Sequence, residues 1–402
     1  MLRPAKQLMD FLDWEIGAFY HFGIRSFYPG HEDWDGKPMD RTGFDPKELD
    51  CKQWLSAARA MGATYAIMTC KHHDGFALWP SKYTEYSVKN TPFGKDVVRL
   101  FVDACRNMGI RVGLYYSPAQ WGSEQAKMTD REYDDYFINQ ISELLTNYGK
   151  IDILFLDYTS KYKAGVDYFD RERILDMVYK CQPDIIVNDR LSFYKDNCRD
   201  FDYYTPEVCV PARPVSVKGR EVTWETCATM NGSWGYRSDM NRWNTAEALV
   251  AGLVGCVSRN GNLLLNVGPM SDGNLPEMAV RRLKELAAWY SANGESIAGC
   301  GRSSFTPPFG CAYTQKGNVL YCHFLQSPLG DVILPELKGR IKDIVPLRSD
   351  VKVRCVDEWG FELLGQFDQR IRPEGIRPGD VIKIFLTSRP EKHKMQGVDG
   401  RE

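Results

Sequence analysis

The sequence predicts an α/β protein with a (β/α)8-like, TIM-type barrel followed by a small C-terminal antiparallel β-sandwich. Patterns typical of helices and of strands alternate over roughly the first 300 residues. The strand segments are short and almost continuously apolar, which is typical of parallel strands that are buried on both faces. After about residue 300 no long helical pattern remains, and short strands alternate with Gly, Pro and Asp turns.

The repeating units of the first region can be followed along the chain. The apolar run IGAFYHFG comes first, and a helix predicted over KELDCKQWLSAARAMG, ending at Gly62, precedes the strand TYAIMTC. Asp96 and Gly109 suit the N-cap and C′ positions of the next helix, DVVRLFVDACRNMG. The strands IRVGLYYS, IDILFLD, DIIVND and NLLLNVGP then alternate with further helical segments. Seven or more such strands favour a closed barrel over an open doubly wound sheet.

The change of pattern predicts the domain boundaries. We expect a catalytic barrel over residues 1–300, a β-sandwich over residues 301–390 and a polar tail over residues 391–402. The sandwich strands are GNVLYCHFLQ, GDVILPEL, DIVPL, VKVRCVD and DVIKIFLTSRP.

Composition and charge exclude several classes of function. The chain has 51 Lys and Arg against 53 Asp and Glu, so we expect no nucleic-acid partner. No stretch reaches the roughly 18 apolar residues of a membrane span, and the N-terminus has no signal-peptide h-region. We therefore expect no membrane partner and a cytoplasmic location, or a secreted one if a leader has been removed. No nucleotide-binding glycine motif or C-x-x-C pair occurs, and no cofactor is predicted.

Polar groups follow the predicted strands at the points where the strands end. In a βα barrel, reactive groups lie at these carboxyl ends. The side chains in these positions suit the binding of a polyol; they are His21, Lys71, His72, His73, Asp74, Tyr115, Tyr116, Asp157, Asn188, Asp189, Arg190 and Glu207, with Glu225 nearby in TWETC.

Asp157 is the most informative of these residues, because it directly follows the four apolar residues ILFL. That position predicts a partly desolvated carboxylate on the barrel rim, which we interpret as a nucleophile; a helix N-cap or an ion pair with a nearby Lys is the alternative. A retaining glycosidase needs a second carboxyl group about 5–5.5 Å away to act as acid and then as base. Asp157 and Glu207 are expected to come from neighbouring parts of one rim.

The adjacent histidines of KHHDGF suggest either a metal site or a sugar site. Consecutive residues on a strand point to opposite faces, so two consecutive metal ligands would require a bend. No H-x-H or H-E-x-x-H pattern supports a metal either. We therefore predict no metal and expect His72, His73 or both to hydrogen-bond sugar hydroxyls, with a purely structural role as the alternative.

Five segments resemble glycoside hydrolase family 29, the α-L-fucosidases. They are HFGIRSFYPGHEDWDG, KHHDGFALWPSKYTEYSVKNTPFGKDVV, VGLYYSPAQW, the WETC to SWGY stretch and NLLLNVGP, and they lie in the family's order over roughly residues 10–300. The resemblance implies a barrel followed by a β-sandwich. It also implies metal-free exo-hydrolysis, with retention, of terminal α-linked L-fucose, so that the partner is a fucosylated oligosaccharide or glycoconjugate.

The resemblance also implies roles for individual residues. Asp157 would be the nucleophile, and Glu207 in TPE would be the acid/base, with Glu225 in WETC as the alternative. The residues implied to bind the fucose ring are His21, His72, His73, Tyr116 and Arg190, together with the pair Asp33 and Trp34 at its hydroxyls and Trp234 on its apolar side.

Two positions depart from the family pattern. Tyr158 stands where a glycine is common, and Asp33 stands where Glu is usual. Either change is expected to affect which sugar is accepted. We therefore keep three alternatives: a retaining hydrolase of a related sugar such as α-galactose, a non-catalytic carbohydrate-binding protein, and a metal-dependent barrel hydrolase that a chelator would inactivate.

Overall fold

The computed structural model describes residues 5–28, 39–118, 128–157, 170–192, 201–356, 365 and 367–388. Asp33, Trp34, Tyr158 and the predicted tail 391–402 lie outside these described residues.

A seven-stranded parallel sheet forms the first part of the chain. Its strands are β1 (Ile16–Tyr20), β2 (Tyr65–Lys71), β3 (Arg111–Tyr116), β4 (Ile153–Leu156), β5 (Ile186–Val187), β8 (Trp224–Thr229) and β9 (Gly261–Val267). A small hairpin, β6 (Ser216–Val217) and β7 (Arg220–Glu221), interrupts the series. The strand order β5-β4-β3-β2-β1-β9-β8 places β1 in the interior of the sheet and leaves β5 and β8 at its edges.

Seven α-helices within the described ranges connect or flank these strands. They are α1 (Ala5–Leu12), α2 (Cys51–Ala60), α3 (Val97–Asn107), α4 (Asp130–Asn147), α5 (Arg171–Cys181), α6 (Ala246–Val257) and α7 (Glu277–Asn293). The starts of α2, α3, α4, α5 and α6 follow from local chemistry, because a side-chain oxygen of the N-cap residue accepts from a backbone N–H group that lacks a helical partner. Asp96 caps α3 through the Arg99 N–H, as predicted, and Thr129 forms a capping box with Glu132 on α4.

The sheet is strongly curled. Phe19 on β1 and Phe155 on β4 are separated by two intervening strands, yet their ring centroids are only 5.3 Å apart. In a flat sheet, with strands about 4.8 Å apart, these rings would lie roughly 14 Å apart. The concave side therefore encloses its own apolar cluster, to which Phe19, Tyr115, Phe155 and Tyr203 belong. Alternate residues on the convex side pack against the helices.

The segment of residues 203–207 lies between the two edges of the sheet. Tyr203 forms an isolated parallel bridge with Asn188, just after β5, while Tyr204 and Glu207 form parallel bridges with Trp224 and Cys227 of β8. The segment thus links both edges, although its residues are not a regular strand. It also brings Glu207 to the same end of the sheet as Asp157.

The C-terminal region consists of two antiparallel sheets. Its strands are β10 (Gly301–Arg302), β11 (Cys311–Lys316), β12 (Val319–Phe324), β13 (Val332–Leu334), β14 (Ile341–Pro346), β15 (Lys352–Cys355), β16 (Gln369–Glu374) and β17 (Val381–Leu386). One sheet has the order β10-β11-β12-β17-β14 and the other β13-β16-β15. A single apolar cluster draws Leu320 and Ile384 from the first sheet and Leu334 and Ile371 from the second.

The two regions share part of one apolar cluster, to which Tyr321 and Val381 belong, and they also contact each other through polar groups. Trp289 of α7 donates its indole N–H to the Gly379 carbonyl at 2.7 Å, and Arg302 pairs with Glu221 of the β6–β7 hairpin at 2.6 Å. Within the part of the chain that the structure describes, no helix is both long and apolar enough to cross a membrane.

Candidate active site

Asp157 lies at the carboxyl end of β4, with a side chain that is only 13% exposed. The Tyr115 hydroxyl donates to its Oδ2 at 2.7 Å, and Arg190 Nη1 donates to its Oδ1 at 2.8 Å. His73 Nε2 lies 3.7 Å from Oδ2. Both carboxylate oxygens of Asp157 are therefore oriented by groups from three other strand ends.

These contacts determine the charge of Asp157. Burial raises the pKa of its carboxyl group, but the charge of Arg190, the nearby His73 and the hydrogen bonds from Tyr115 and Arg190 outweigh burial and lower the pKa to about 2. The carboxylate is consequently ionised across the range in which most proteins are folded, which is the state that a carboxylate nucleophile requires.

Arg190 links the two candidate catalytic carboxylates. Its Nη1 atom lies 2.8 Å from Asp157 Oδ1 and also 2.8 Å from Glu207 Oε2. Because both contacts are made by the same nitrogen, Asp157 Oδ1 and Glu207 Oε2 can be separated by at most twice the 2.8 Å contact distance. The limit is compatible with the spacing of about 5–5.5 Å in retaining glycosidases and is shorter than the roughly 6.5–9.5 Å of inverting enzymes. The Glu207 side chain is 42% exposed, so it is open to solvent as well as to Arg190.

Glu225 lies elsewhere. It is fully buried near the amino-terminal end of β8, where its Oε2 accepts a hydrogen bond from Tyr65, the first residue of β2. Its Oε1 has no hydrogen-bond partner among the described residues. Burial raises the pKa of Glu225 to about 8, against the opposing effects of the Tyr65 hydrogen bond and the Arg190 charge. The structure thus brings Glu207, and not Glu225, to the rim beside Asp157.

The buried Glu225 predicts a pH-dependent stability. Its folded pKa of about 8 exceeds the ordinary value of 4.5, so the stability that its protonated form provides is complete below about pH 4.5 and is lost as pH rises through about 8. We expect Glu225→Gln to lose less unfolding free energy than the wild type between about pH 5 and pH 8, by an amount on the order of a few kcal/mol. Urea unfolding at both pH values measures this, and the exposed Glu374→Gln variant is the control. Equal pH dependence in Glu225→Gln and the wild type would contradict the prediction.

Of the two tyrosines at the end of β3, the structure brings Tyr115, and not Tyr116, to the site. Tyr116, which was predicted to bind sugar, is completely buried on the convex side, where its hydroxyl donates to Gln140 and its ring stacks on Phe137 of α4. The structure does not bring it to the site. Tyr115 points into the concave side and contacts Asp157 instead. The alternation of side chains along the strands indicates this arrangement. Tyr115 of β3 lies in register with Phe155 of β4, and Phe155 is two residues before Asp157 and so points to the same face.

The predicted sugar-binding histidines lie together around Tyr115. The His72 ring stacks on the Tyr115 ring at a centroid distance of 5.4 Å, and the His21 centroid is 5.4 Å from that of His72. His73 Nδ1 contacts Ser117 Oγ at 2.5 Å, which leaves its Nε2 facing Asp157. Burial is the largest cause that holds the pKa of His72 well below its usual value, and the neighbouring His73, His21, Arg25 and Lys71 lower it further. A neutral imidazole of this kind suits hydrogen bonding to hydroxyls.

His72, His73 and Asp157 also offer ligand atoms that all lie within 4.8 Å of one another. This arrangement has the donor types of a metal site. Tyr115 and Arg190 each donate to one oxygen of Asp157, and each of these oxygens keeps a second lone pair. Metal-independent activity therefore stays a prediction, which an activity assay with and without a chelator tests.

Asn266 at the end of β9 holds two predicted sugar-binding residues, and sequence reasoning missed this role. Its Nδ2 donates to the Trp234 carbonyl at 2.7 Å, so its Oδ1 faces His21 Nδ1 at 2.6 Å. An amide oxygen cannot donate, so the network assigns the proton to His21 Nδ1. The Trp234 ring then packs 5.1 Å from His21. Gly268 permits this approach, because a Cβ there would lie 2.5 Å from the Tyr236 nitrogen.

Comparison with known proteins identifies the family. The family model described as alpha-L-fucosidase matches residues 3–295. The chain is 29% identical to the α-L-fucosidase of Dictyostelium discoideum, covering 74% of this chain and 72% of that protein. It is 30% identical to the plasma α-L-fucosidase of Homo sapiens, covering 78% and 69% respectively.

Solved structures agree with this assignment. α-L-Fucosidase isoenzyme 1 from Paenibacillus thiaminolyticus matches with a TM-score of 0.86 and 32% identity, covering 95% of this chain and 99% of that one. The family 29 α-L-fucosidase from Bacteroides thetaiotaomicron matches with a TM-score of 0.82 and 25% identity, covering 96% of each chain. On this evidence, the chain belongs to glycoside hydrolase family 29, the α-L-fucosidase family.

Proposed function

We propose that this protein is a retaining exo-α-L-fucosidase that removes terminal α-linked L-fucose from oligosaccharides or glycoconjugates. The observation that carries the proposal is the contact of one Arg190 nitrogen with both Asp157 and Glu207 at 2.8 Å. This contact gives the two carboxylates the close spacing that double displacement requires.

In the first step, Asp157 attacks the anomeric carbon while Glu207, in its protonated form, gives its proton to the departing glycosidic oxygen. The bond between the anomeric carbon and that oxygen breaks, and an ester between fucose and Asp157 forms. The Asp157 carboxylate is already ionised and is oriented by Tyr115 and Arg190, so no proton has to leave the nucleophile beforehand.

In the second step, Glu207 takes a proton from a water molecule that attacks the anomeric carbon, and the ester to Asp157 breaks. Two inversions give net retention, and Glu207 regains the proton that it needs for the next cycle. The partial exposure of Glu207 suits both roles, because the leaving group and the incoming water must reach the same carboxyl group.

The remaining residues of the site are proposed to bind the sugar. His21, His72 and His73 would hydrogen-bond its hydroxyls, and Trp234 would pack on its apolar side. Asp33 and Trp34, which lie outside the described residues, stay predicted contacts of the fucose hydroxyls.

We also propose that the curled parallel sheet closes as a (β/α)8-like barrel, with residues 203–207 in the place of an eighth strand. The isolated bridges of this segment to both sheet edges support closure. The apolar cluster shared by the two C-terminal sheets supports a β-sandwich. Both proposals fit the predicted domains 1–300 and 301–390.

Release of nitrophenol from 4-nitrophenyl α-L-fucoside, measured beside the α- and β-galactosides with and without a chelator, tests the proposed function. We expect turnover of the fucoside alone and no effect of the chelator. Turnover of a galactoside without the fucoside would overturn the sugar assignment, and inactivation by the chelator would indicate a metal-dependent hydrolase. Binding of fucose without turnover of fucosylated oligosaccharides would indicate a carbohydrate-binding protein.

A further inference from the structure

A hydrogen-bonded pair lies behind Arg190, on the side away from the two carboxylates. Thr205 Oγ1 is 2.8 Å from Asp189 Oδ1 and 3.0 Å from Arg190 Nε. The Thr205 backbone N–H donates to the same Asp189 oxygen at 3.1 Å. Thr205 is buried, and so is most of Arg190.

The directions of these hydrogen bonds follow from the chemistry of the groups. A guanidinium has only donors, so Thr205 Oγ1 must accept from Arg190 Nε–H. Thr205 can then donate its single hydroxyl proton to Asp189 Oδ1. The same oxygen also accepts the Thr205 backbone N–H, so Asp189 is the acceptor in both of its contacts with Thr205. Asp189 thus directs the lone pairs of Thr205 toward Arg190.

This arrangement fixes the direction of Arg190 Nη1. The guanidinium is planar and rigid, so restraining Nε and Nη2 determines where Nη1 points. Nε is held by Thr205 Oγ1, and Nη2 donates to the Thr205 carbonyl at 3.4 Å and contacts Cys227 Sγ at 3.3 Å. The Arg190 Cζ atom lies over the Phe155 ring, 5.2 Å from its centroid. Nη1 is left to face Asp157 and Glu207.

We propose that Asp189 and Thr205 are positioning residues that hold Arg190 between the nucleophile and the acid/base, and so control the reactivity of Asp157. Neither residue is proposed to touch the substrate. The inference rests on the proposed function, because it assumes that Asp157 attacks the sugar.

The test measures attack by Asp157 in isolation. A 2-deoxy-2-fluoro-α-L-fucosyl fluoride transfers its sugar to the nucleophile, and its fluoride leaves without help from an acid, so the labelling rate reports Asp157 and its surroundings. Intact mass measured against time gives the limiting rate of labelling and the reagent concentration at half that rate. The variants are Thr205→Val, which keeps the shape but removes the hydroxyl, and Thr205→Ser, which keeps the hydroxyl.

We expect Thr205→Val to lower the limiting rate about 10-fold, as the loss of one buried hydrogen bond to a charged group predicts, and Thr205→Ser to label within about twofold of the wild type. A merely structural role would lower the melting temperature of Thr205→Val but leave its limiting rate unchanged. Equal rates for Thr205→Val and the wild type, or equal losses in the Val and Ser variants, would overturn the proposal.

A second variant keeps the proposal testable if Thr205→Val does not fold. Asp189→Asn keeps an oxygen acceptor but removes the charge that orients Thr205, and we expect it to slow labelling severalfold. A wild-type rate for Asp189→Asn would then count against the positioning role. Failure of the wild type itself to become labelled would instead overturn the proposed function, so the two failures are distinguishable.

Discussion

Replacing Asp157 by Ala is expected to lower kcat/KM on 4-nitrophenyl α-L-fucoside by a factor on the order of 10⁴ or more, while the protein remains folded. In the proposed mechanism the Asp157 side chain supplies the atom that bonds to the sugar. Among the described residues, Glu207 is the one other carboxylate that contacts Arg190. The fold is expected to persist, because Glu207 still pairs with the Arg190 guanidinium after Asp157 is removed.

Two further variants sharpen this prediction. Asp157→Asn keeps an oxygen that accepts from Tyr115, so an equally large loss in this variant would assign the effect to the missing nucleophile and not to a missing hydrogen bond. Asp152→Asn is the matched control, because Asp152 precedes the same strand at its opposite end and binds the Val112 N–H at 2.8 Å. Activity of Asp157→Ala above about one hundredth of the wild-type value would remove Asp157 from the nucleophile role.

The sequence predicts the parallel sheet well, because each apolar run is long enough to specify a strand that is buried on both faces. It also places Asp157 and Arg190 near each other, since the carboxyl ends of parallel strands meet at one end of a sheet. By contrast, the 203–207 segment has no continuous apolar run of its own, and its place is given by its bridges to Asn188, just after β5, and to β8.

The pattern of a strand in the sequence does not determine which of its residues point toward the site. Both Tyr115 and Tyr116 suit a sugar site by residue type, and only the register of β3 with β4 makes Tyr115 the one that faces Asp157. Glu225 is similar, since its place in TWETC does not reveal that it lies deep beside Tyr65. The contacts of Asn266 with His21 and of Thr205 with Arg190 join residues that are 245 and 15 positions apart, and no local motif encodes them.

Replacing Glu207 by Ala is expected to reduce activity most on substrates whose leaving group must be protonated before it can depart. A sugar hydroxyl is a poor leaving group and needs a proton, so we expect kcat/KM on a fucosylated oligosaccharide to fall by roughly 10³. Nitrophenolate leaves readily, and on 4-nitrophenyl α-L-fucoside the expected loss in kcat/KM is about 10-fold or less. Comparing the two substrates within one variant removes any difference in the folded fraction.

The same variant also tests the second role of Glu207. Without a general base, water attacks the fucosyl-enzyme slowly, so kcat on the nitrophenyl fucoside is expected to fall even though bond cleavage is retained. Azide is a nucleophile that needs no base, so adding it is expected to restore kcat. The expected product is α-fucosyl azide and not β-fucosyl azide, because the second displacement restores the original configuration. Glu225→Gln is expected to show neither the leaving-group dependence nor the azide effect, since Glu225 lies beside Tyr65 at the other end of β8. If Glu225→Gln shows both effects and Glu207→Ala shows neither, the acid/base is Glu225, and a proton path from its buried carboxyl group to the carboxyl ends of the strands must exist.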